Sequence, residues 1–213
     1  MTNIISERKD DYDPVAEVYA AAFLNELEDK PLDREYLNKF KDLVGKEGMI
    51  CDLGCGPGQI ARHLKSLGLN VIGIDKSKGM VEVARRFNPD IEFFCDDMTE
   101  LNVGDSAWAG IVNFYAIIHV TPDEIAKVFD EWKRVLVPGG YLLMSFLVGE
   151  DIEHVDKLFN QEVDLDFYLF PSDHIIKSLE DSGFEMIDSM ERDPYAGVEY
   201  NSRRGYIFAK KKD

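Results

Sequence analysis

Short apolar runs alternate along this chain with stretches in which apolar residues recur every three or four positions. Met49-Ile50-Cys51-Asp52-Leu53 is an apolar run ending in glycines, which predicts a first strand. Ile60, Leu64 and Leu67 then follow helical spacing and stop at Gly68. Residues 70–74 predict a second strand, closed by Asp75. Ser77 is placed to cap a helix with Met80, Val81 and Ala84 inward. Residues 91–94 predict a third strand ending on Asp96-Asp97, and residues 110–116 a fourth. Thr121-Pro122-Asp123-Glu124 reads as a capping box with proline at the first helical position. The helix it opens carries Ile125, Val128, Phe129, Trp132 and Val135 on one stripe. Pro138-Gly139-Gly140 ends that helix, and residues 141–147 predict a fifth strand.

The two flanks differ from this middle. Upstream, Asp13-Pro14 predicts a helix start, with Val15, Val18, Ala22 and Phe23 on one face. A second helix is expected over 33–44, stopping at Gly45. Downstream, Ser172 or Asp173 caps a helix to Asp181, Gly183 stops it, and 184–187 begins a strand. Residues 203–210 predict another strand, and two strands without a helix between them imply an antiparallel last strand. Residues 148–171, rich in acids and aromatics, predict a flap with some helix.

Strand–helix alternation implies right-handed crossovers, a parallel sheet and helices on both faces. The expected class is therefore α/β, a three-layer doubly wound sheet. At 213 residues, against about 150 per domain, the chain fits one domain over 1–213. The elaborations are a helical cap over 10–45 and the flap over 148–171. Lys and Arg number 24 and Asp and Glu 41, a formal net charge of −17. That balance disfavours nucleic acids and anionic membranes as partners, since both are bound by neutralising phosphate. No apolar run approaches membrane-spanning length, and the N-terminal residues lack the apolar stretch of a leader. The three cysteines (Cys51, Cys55, Cys95) make neither a disulfide framework nor a CxxC metal pair, so no metal is expected and a reducing, cytoplasmic setting is.

The sharpest motif is Asp52-Leu53-Gly54-Cys55-Gly56-Pro57-Gly58, between a predicted strand and a predicted helix. Glycines there permit positive φ and close approach of a ligand to the backbone. Asp75, at the end of the second strand, stands where an acid binds a ribose hydroxyl pair. Gly56-Pro57-Gly58-Gln59-Ile60-Ala61 also fits the G-x-G-x-x-A pattern of dinucleotide binders. Two acids point elsewhere. Asp52 gives a pyrophosphate nothing, whereas a ligand with an ammonium and a sulfonium gains from it. Asp97 is placed to accept from an adenine amino group.

These residues resemble the class I S-adenosylmethionine-dependent methyltransferases. ICDLGCGPGQ is similar to the first motif of that family, VIGID to its second-strand acid motif, and FFCDDMTEL to its third-strand acid motif. VLVPGGYLLMSF resembles the segment through the fifth strand, so the likeness spans roughly 45–147. More loosely, VDLDFYLF and DPYAGVEYNSRRGYIFAKK look like a bacterial branch of small-molecule methyltransferases. The resemblance implies a seven-stranded sheet with its last strand antiparallel. It implies S-adenosylmethionine as cofactor and S-adenosylhomocysteine as product. Asp52 and the backbone of Gly54, Cys55 and Gly56 would hold the amino-acid moiety, with Gly58 completing the turn. Asp75 would bind the ribose, Lys76 and Met80 would line the adenine side, and Asp97 with the Met98 backbone would meet the adenine amino group. Asn113 and Tyr115 would face the methionine portion. The family often carries Asp at the start of the fourth strand, where this chain has Gly110.

Methyl transfer from an activated cofactor is dominated by positioning, and a base is needed only where the nucleophile must lose a proton. His119 has an intrinsic pKa suited to that base, and Tyr115 is placed to orient an acceptor. Tyr12 and Tyr19, seven apart, fall near one face of the first helix, a segment that the resemblance implies closes over the cofactor. Tyr12, Tyr168 and Arg203 are expected on a small-molecule acceptor, and Asp164, Asp166 and Phe170 extend that set. Arg203 and Arg204 point to opposite sides of a strand, so one is placed to meet an acceptor carboxylate or to pair with Glu199 or another acid. The alternatives are a nicotinamide-dependent dehydrogenase, or a cofactor-binding regulatory protein of the same fold without turnover.

Overall fold

In this computed structural model, residues 12–213 are described. Residues 10 and 11 of the expected cap, and nearly all of the segment read for a leader, lie outside them. The strands are β1 (Met49–Leu53), β2 (Asn70–Asp75), β3 (Glu92–Cys95), β4 (Trp108–Phe114), β5 (Leu136–Val148), β6 (Ile152–Leu158), β7 (Gln161–Tyr168), β8 (Phe184–Arg192) and β9 (Arg203–Lys211). The helices are α1 (Ala16–Phe23), α2 (Pro31–Val44), α3 (Gln59–Ser66), α4 (Lys78–Phe87), α5 (Ile125–Val135) and α6 (Ser172–Asp181). Seven strands form one sheet in the order β3-β2-β1-β4-β5-β9-β8. Strands β3 to β5 pair in parallel, while β9 runs antiparallel to both β5 and β8.

Both faces of the sheet are covered, as buried parallel strands require. On one face, Val128, Phe129 and Trp132 of α5 pack with Ile175 and Leu179 of α6. On the other, Leu37 and Phe40 of α2 pack with Ile60 and Leu64 of α3 and Val81 and Ala84 of α4. Gly110 belongs to this second face. A Cβ there would stand 2.6 Å from the Phe40 ring, so the space an Asp would need is filled by α2.

Of the six α-helices among the described residues only α4 opens on a side-chain cap, and at α6 the N-cap is Pro171 rather than the expected Ser172 or Asp173. The Ser77 hydroxyl accepts from the Met80 N–H at 3.0 Å, the expected N-cap. Thr121 departs from expectation. Its hydroxyl donates to the Glu124 carboxylate at 2.6 Å instead of capping a backbone N–H. Residues 122–124 form a tight 3-10 turn before α5 begins.

The larger departure is the flap. Residues 152–168 contain no helix but an antiparallel hairpin, β6–β7. Its β7 arm alternates apolar Val163, Leu165 and Phe167 with exposed Glu162, Asp164 and Asp166, a period of two that defines a half-buried strand. Phe159 and Asn160 turn the hairpin at φ of +50° and +61°, the left-handed pair of a two-residue hairpin turn. Asn tolerates that region, whereas Phe does not. The Phe159 ring sits 6.3 Å from Tyr19 and 5.9 Å from Phe23 on α1, contacts that hold the strained residue in place.

Candidate cofactor and acceptor cleft

A cleft of about 1590 Å³ lies beyond the carboxyl ends of β1, β2 and β4 and runs beneath the hairpin. Open parallel sheets bind ligands at this place. At the turn after β1, the Gly54 and Cys55 N–H groups donate to the Ile74 carbonyl at 2.7 and 2.9 Å, tying the turn to β2. The three glycines there have different duties. A Cβ on Gly54 would lie 2.2 Å from the Ala116 Cβ, so this residue serves packing against the segment after β4. A Cβ on Gly58 would lie 2.8 Å from the Phe93 ring, away from the cleft. Gly56 is the one with open space on the cleft side, where a Cβ would touch only the Tyr19 ring, at 4.0 Å.

The acids cluster around that opening. Asp75 accepts the Gly56 N–H at 2.7 Å and the Ser77 N–H at 2.9 Å. Burial raises its carboxyl, opposed by those two N–H groups. Asp52 accepts the Ala61 N–H at 2.8 Å and is otherwise enclosed, so burial pushes it up to about 8. Neither carboxylate meets a Lys or Arg side chain among the described residues. Asp97 differs. Against its partial burial, the Thr99 N–H and hydroxyl on one oxygen and Lys76 at 2.9 Å on the other hold its pKa down. Lys76, Met80, Met98, Cys55 and Tyr19 line the cleft as expected. The Cys55 thiol is buried and raised, a filler of the turn. Asn113 does not reach the cleft. Its amide donates to the Leu53 carbonyl at 2.8 Å and accepts the Ile117 N–H at 3.1 Å, which joins the ends of β1 and β4.

At the other end, the Tyr12 hydroxyl lies 3.1 Å from His119 Nε2, and the ring also bonds the Asp166 backbone. Burial pushes this imidazole down to about 4. It is therefore neutral at physiological pH and already engaged, unlike the free base expected from its intrinsic pKa. The Phe167 ring packs 5.3 Å away on the cleft side of the hairpin. Tyr168 lines the cleft, whereas Phe170 is core. Asp164 and Asp166 turn outward, around His154. Arg203 also points away, to Glu191 at 2.8 Å and Asp193 at 3.6 Å. Arg204 is the one of the pair that lines the cleft.

Sequence reasoning missed a buried polar network behind Tyr115. The Tyr115 hydroxyl meets that of Tyr206 at 2.9 Å, and Tyr206 donates to Asp33 at 2.5 Å. Arg192 joins Tyr206 at 2.6 Å and clamps Glu199 at 2.6 and 2.8 Å. Lys30 pairs with Glu26 at 2.6 Å, and Gln59 donates to the same carboxylate at 2.9 Å. Tyr115 itself stands at φ +55°, a strained backbone for a bulky residue. Its members lie up to 173 residues apart, so no local spacing announces them.

The comparisons with known proteins agree with this geometry. Residues 50–140 match the methyltransferase domain family. Over those residues, less than half of its length, the chain is similar to S-adenosylmethionine-dependent methyltransferases. A demethylmenaquinone methyltransferase of Renibacterium salmoninarum is 31% identical over 96 residues, 45% of this chain and 40% of that relative. The chain spans about half the length of the curated relatives it matches, or less. Among solved structures, an S-adenosylmethionine-dependent methyltransferase from Methanosarcina mazei superposes with a TM-score of 0.72 at 21% identity, covering 80% of this chain and 95% of that one. A glycopeptide N-methyltransferase crystallised with S-adenosylmethionine superposes with a TM-score of 0.65 at 16% identity, covering 84% and 93%. Both likenesses concern the fold.

The residues present fit the family's cofactor. The open side of Gly56 is a cradle that a side chain would fill, and two buried carboxylates without cationic partners suit a ligand bearing positive charge. Among the described residues no helix is long and apolar enough to cross a membrane, and no cluster of His, Cys, Asp or Glu could hold a metal.

Proposed function

We propose that this chain transfers a methyl group from S-adenosylmethionine to a small-molecule acceptor held under the β6–β7 hairpin. The observation that carries this reading is the pair of buried, cation-free acids, Asp52 and Asp75, at the open glycine of a cleft that continues beneath a lid. The cofactor, when bound, supplies a methyl on a sulfonium, already activated toward a nucleophile. Asp75, with the Gly56 and Ser77 N–H groups ordered on it, is the ribose acid. Asp52 answers positive charge. Lys76, Met80, Asp97 and Met98 form the adenine side.

The hairpin and the rings of Tyr12 and Tyr19 exclude water, so positioning supplies the chemistry. His119 and Tyr12 act as one unit. The neutral imidazole accepts from the phenol and aims it, and Tyr115 walls the acceptor side. A cytoplasmic setting suits Cys51 and Cys55, held as buried thiols.

The test is calorimetry of the full chain with S-adenosylmethionine and with NAD. Micromolar binding of the first and none of the second is expected. Binding of NAD alone would overturn the reading in favour of a dehydrogenase. S-adenosylmethionine binding without turnover on a broad metabolite panel would favour a regulatory protein.

A further inference from the structure

Arg204 is 4% exposed, yet among the described residues it has no carboxylate at hydrogen-bond distance. Its two terminal nitrogens donate to the backbone carbonyls of Ser202 and Tyr200. Glu199 lies 3.8 Å from its Nε, beyond a hydrogen bond. Glu199 is already used, because Arg192 clamps both of its oxygens and the Tyr195 N–H adds a third bond at 2.8 Å. Glu26 is likewise taken by Lys30 and Gln59. Asp33 is raised by burial and accepts from Tyr206, so it too is engaged elsewhere. On the hairpin, Asp164 and Asp166 are turned to His154, and Glu153 accepts from the Tyr200 hydroxyl. Of three buried cations here, Lys30 and Arg192 have a carboxylate at hydrogen-bond distance, whereas Arg204 has only the shared Glu199 at 3.8 Å. A buried guanidinium held only by backbone carbonyls and a long, shared ion pair gains from a closer anion.

Arg204 also lies 5.5 Å from the centroid of the Tyr115 ring, inside the cleft. Val163, Leu165 and Phe167 line the same chamber from the hairpin. The chamber thus offers an apolar and aromatic body with one cation at its end.

We infer that Arg204 anchors a carboxylate of the acceptor, whose planar apolar body lies between Tyr115 and the hairpin. A guanidinium fork matches a carboxylate in the plane, which an ammonium does not. The inference rests on the methyl-transfer reading and names the acceptor class for it: an aromatic or similarly flat carboxylic acid.

The test uses three probes of one shape, 2-naphthoate, 2-naphthamide and 2-naphthylmethylammonium. Each is titrated into the full chain loaded with S-adenosylhomocysteine. Naphthoate should bind at least about tenfold more tightly than the amide, the scale of a charge-assisted pair, and the ammonium most weakly. Arg204→Gln should bring naphthoate and amide within about twofold, with S-adenosylhomocysteine affinity unchanged. Equal binding of acid and amide, or preference for the ammonium, overturns the anchor. So does a variant that keeps the acid preference. Should Arg204→Gln fail to fold, the ranking of the three probes on the unaltered chain decides alone. Failure to bind S-adenosylhomocysteine would sink the methyl-transfer reading itself, whereas binding it without acid preference sinks only the anchor.

Discussion

The turn after β1 and the chamber under the hairpin share one cleft but are held by different kinds of contact. The turn is fixed by backbone bonds to β2 and by Asp75, 19 residues away. The chamber is fixed by side chains from far-separated segments, such as Tyr12 with His119 and Asp33 with Tyr206. A cofactor site built from a turn has little freedom to vary, because its donors are main-chain groups. An acceptor site built from side chains on loops can change residue by residue while the sheet stays the same.

Substitutions can break this comparison, beginning with the largest effect. Gly54→Ala places a methyl against Ala116 at positive φ, so unfolding in urea should show a loss of about 3 kcal/mol. An unchanged midpoint would remove Gly54 from the packing role. Asp75→Ala should weaken S-adenosylmethionine by about 1.5–3 kcal/mol in calorimetry, while the hairpin residues keep their exchange protection. Phe159→Ala removes ring contacts to Tyr19 and Phe23 worth about 0.5–1.5 kcal/mol each. Amides of 152–168 should then exchange faster, with global stability nearly unchanged; slow exchange would detach the lid from α1.

Two pH effects are smaller. Asp52 titrates at about 8 in the free protein, so it is largely protonated at pH 7. A cationic ligand favours its carboxylate, so affinity should rise between pH 6 and about 8, with proton release visible as buffer-dependent enthalpy. Binding enthalpies that are the same in phosphate and Tris would contradict this. His119 sits at about 4, below the ordinary value near 6.5. The unfolded chain therefore takes up that proton first, and its contribution to stability is lost as pH falls from about 6.5 towards 4. His119→Gln should flatten that part of the stability curve, and turnover should show no limb from this imidazole near pH 6.5.

The same contrast explains what could be read from the chain. The β1 turn, the Ser77 cap and the antiparallel last strand follow from short-range spacing, and the structure has all three. The hairpin was legible in the alternation of Val163, Leu165 and Phe167, but the density of acids and aromatics masked it. Asn113 and Arg203 were misplaced for a geometric reason. Adjacent strand positions face opposite ways, and only the three-dimensional register says which side the cleft occupies. The Lys30, Asp33 and Arg192 network had no local signal, since its order is made by tertiary contact.

Strand β9 comes last of the nine in sequence, yet it lies between β5 and β8 and supplies both Arg204 and Tyr206. As the chain leaves the ribosome, β8 emerges with no neighbour to join until β9 follows it. Its edge then waits unpaired, which is the situation chaperones shield. The order of synthesis thus finishes the parallel strands around the glycine turn first and the chamber under the hairpin last. A pulse-labelling experiment on refolding protein should find Ile50 and Ile74 protected before Ile207.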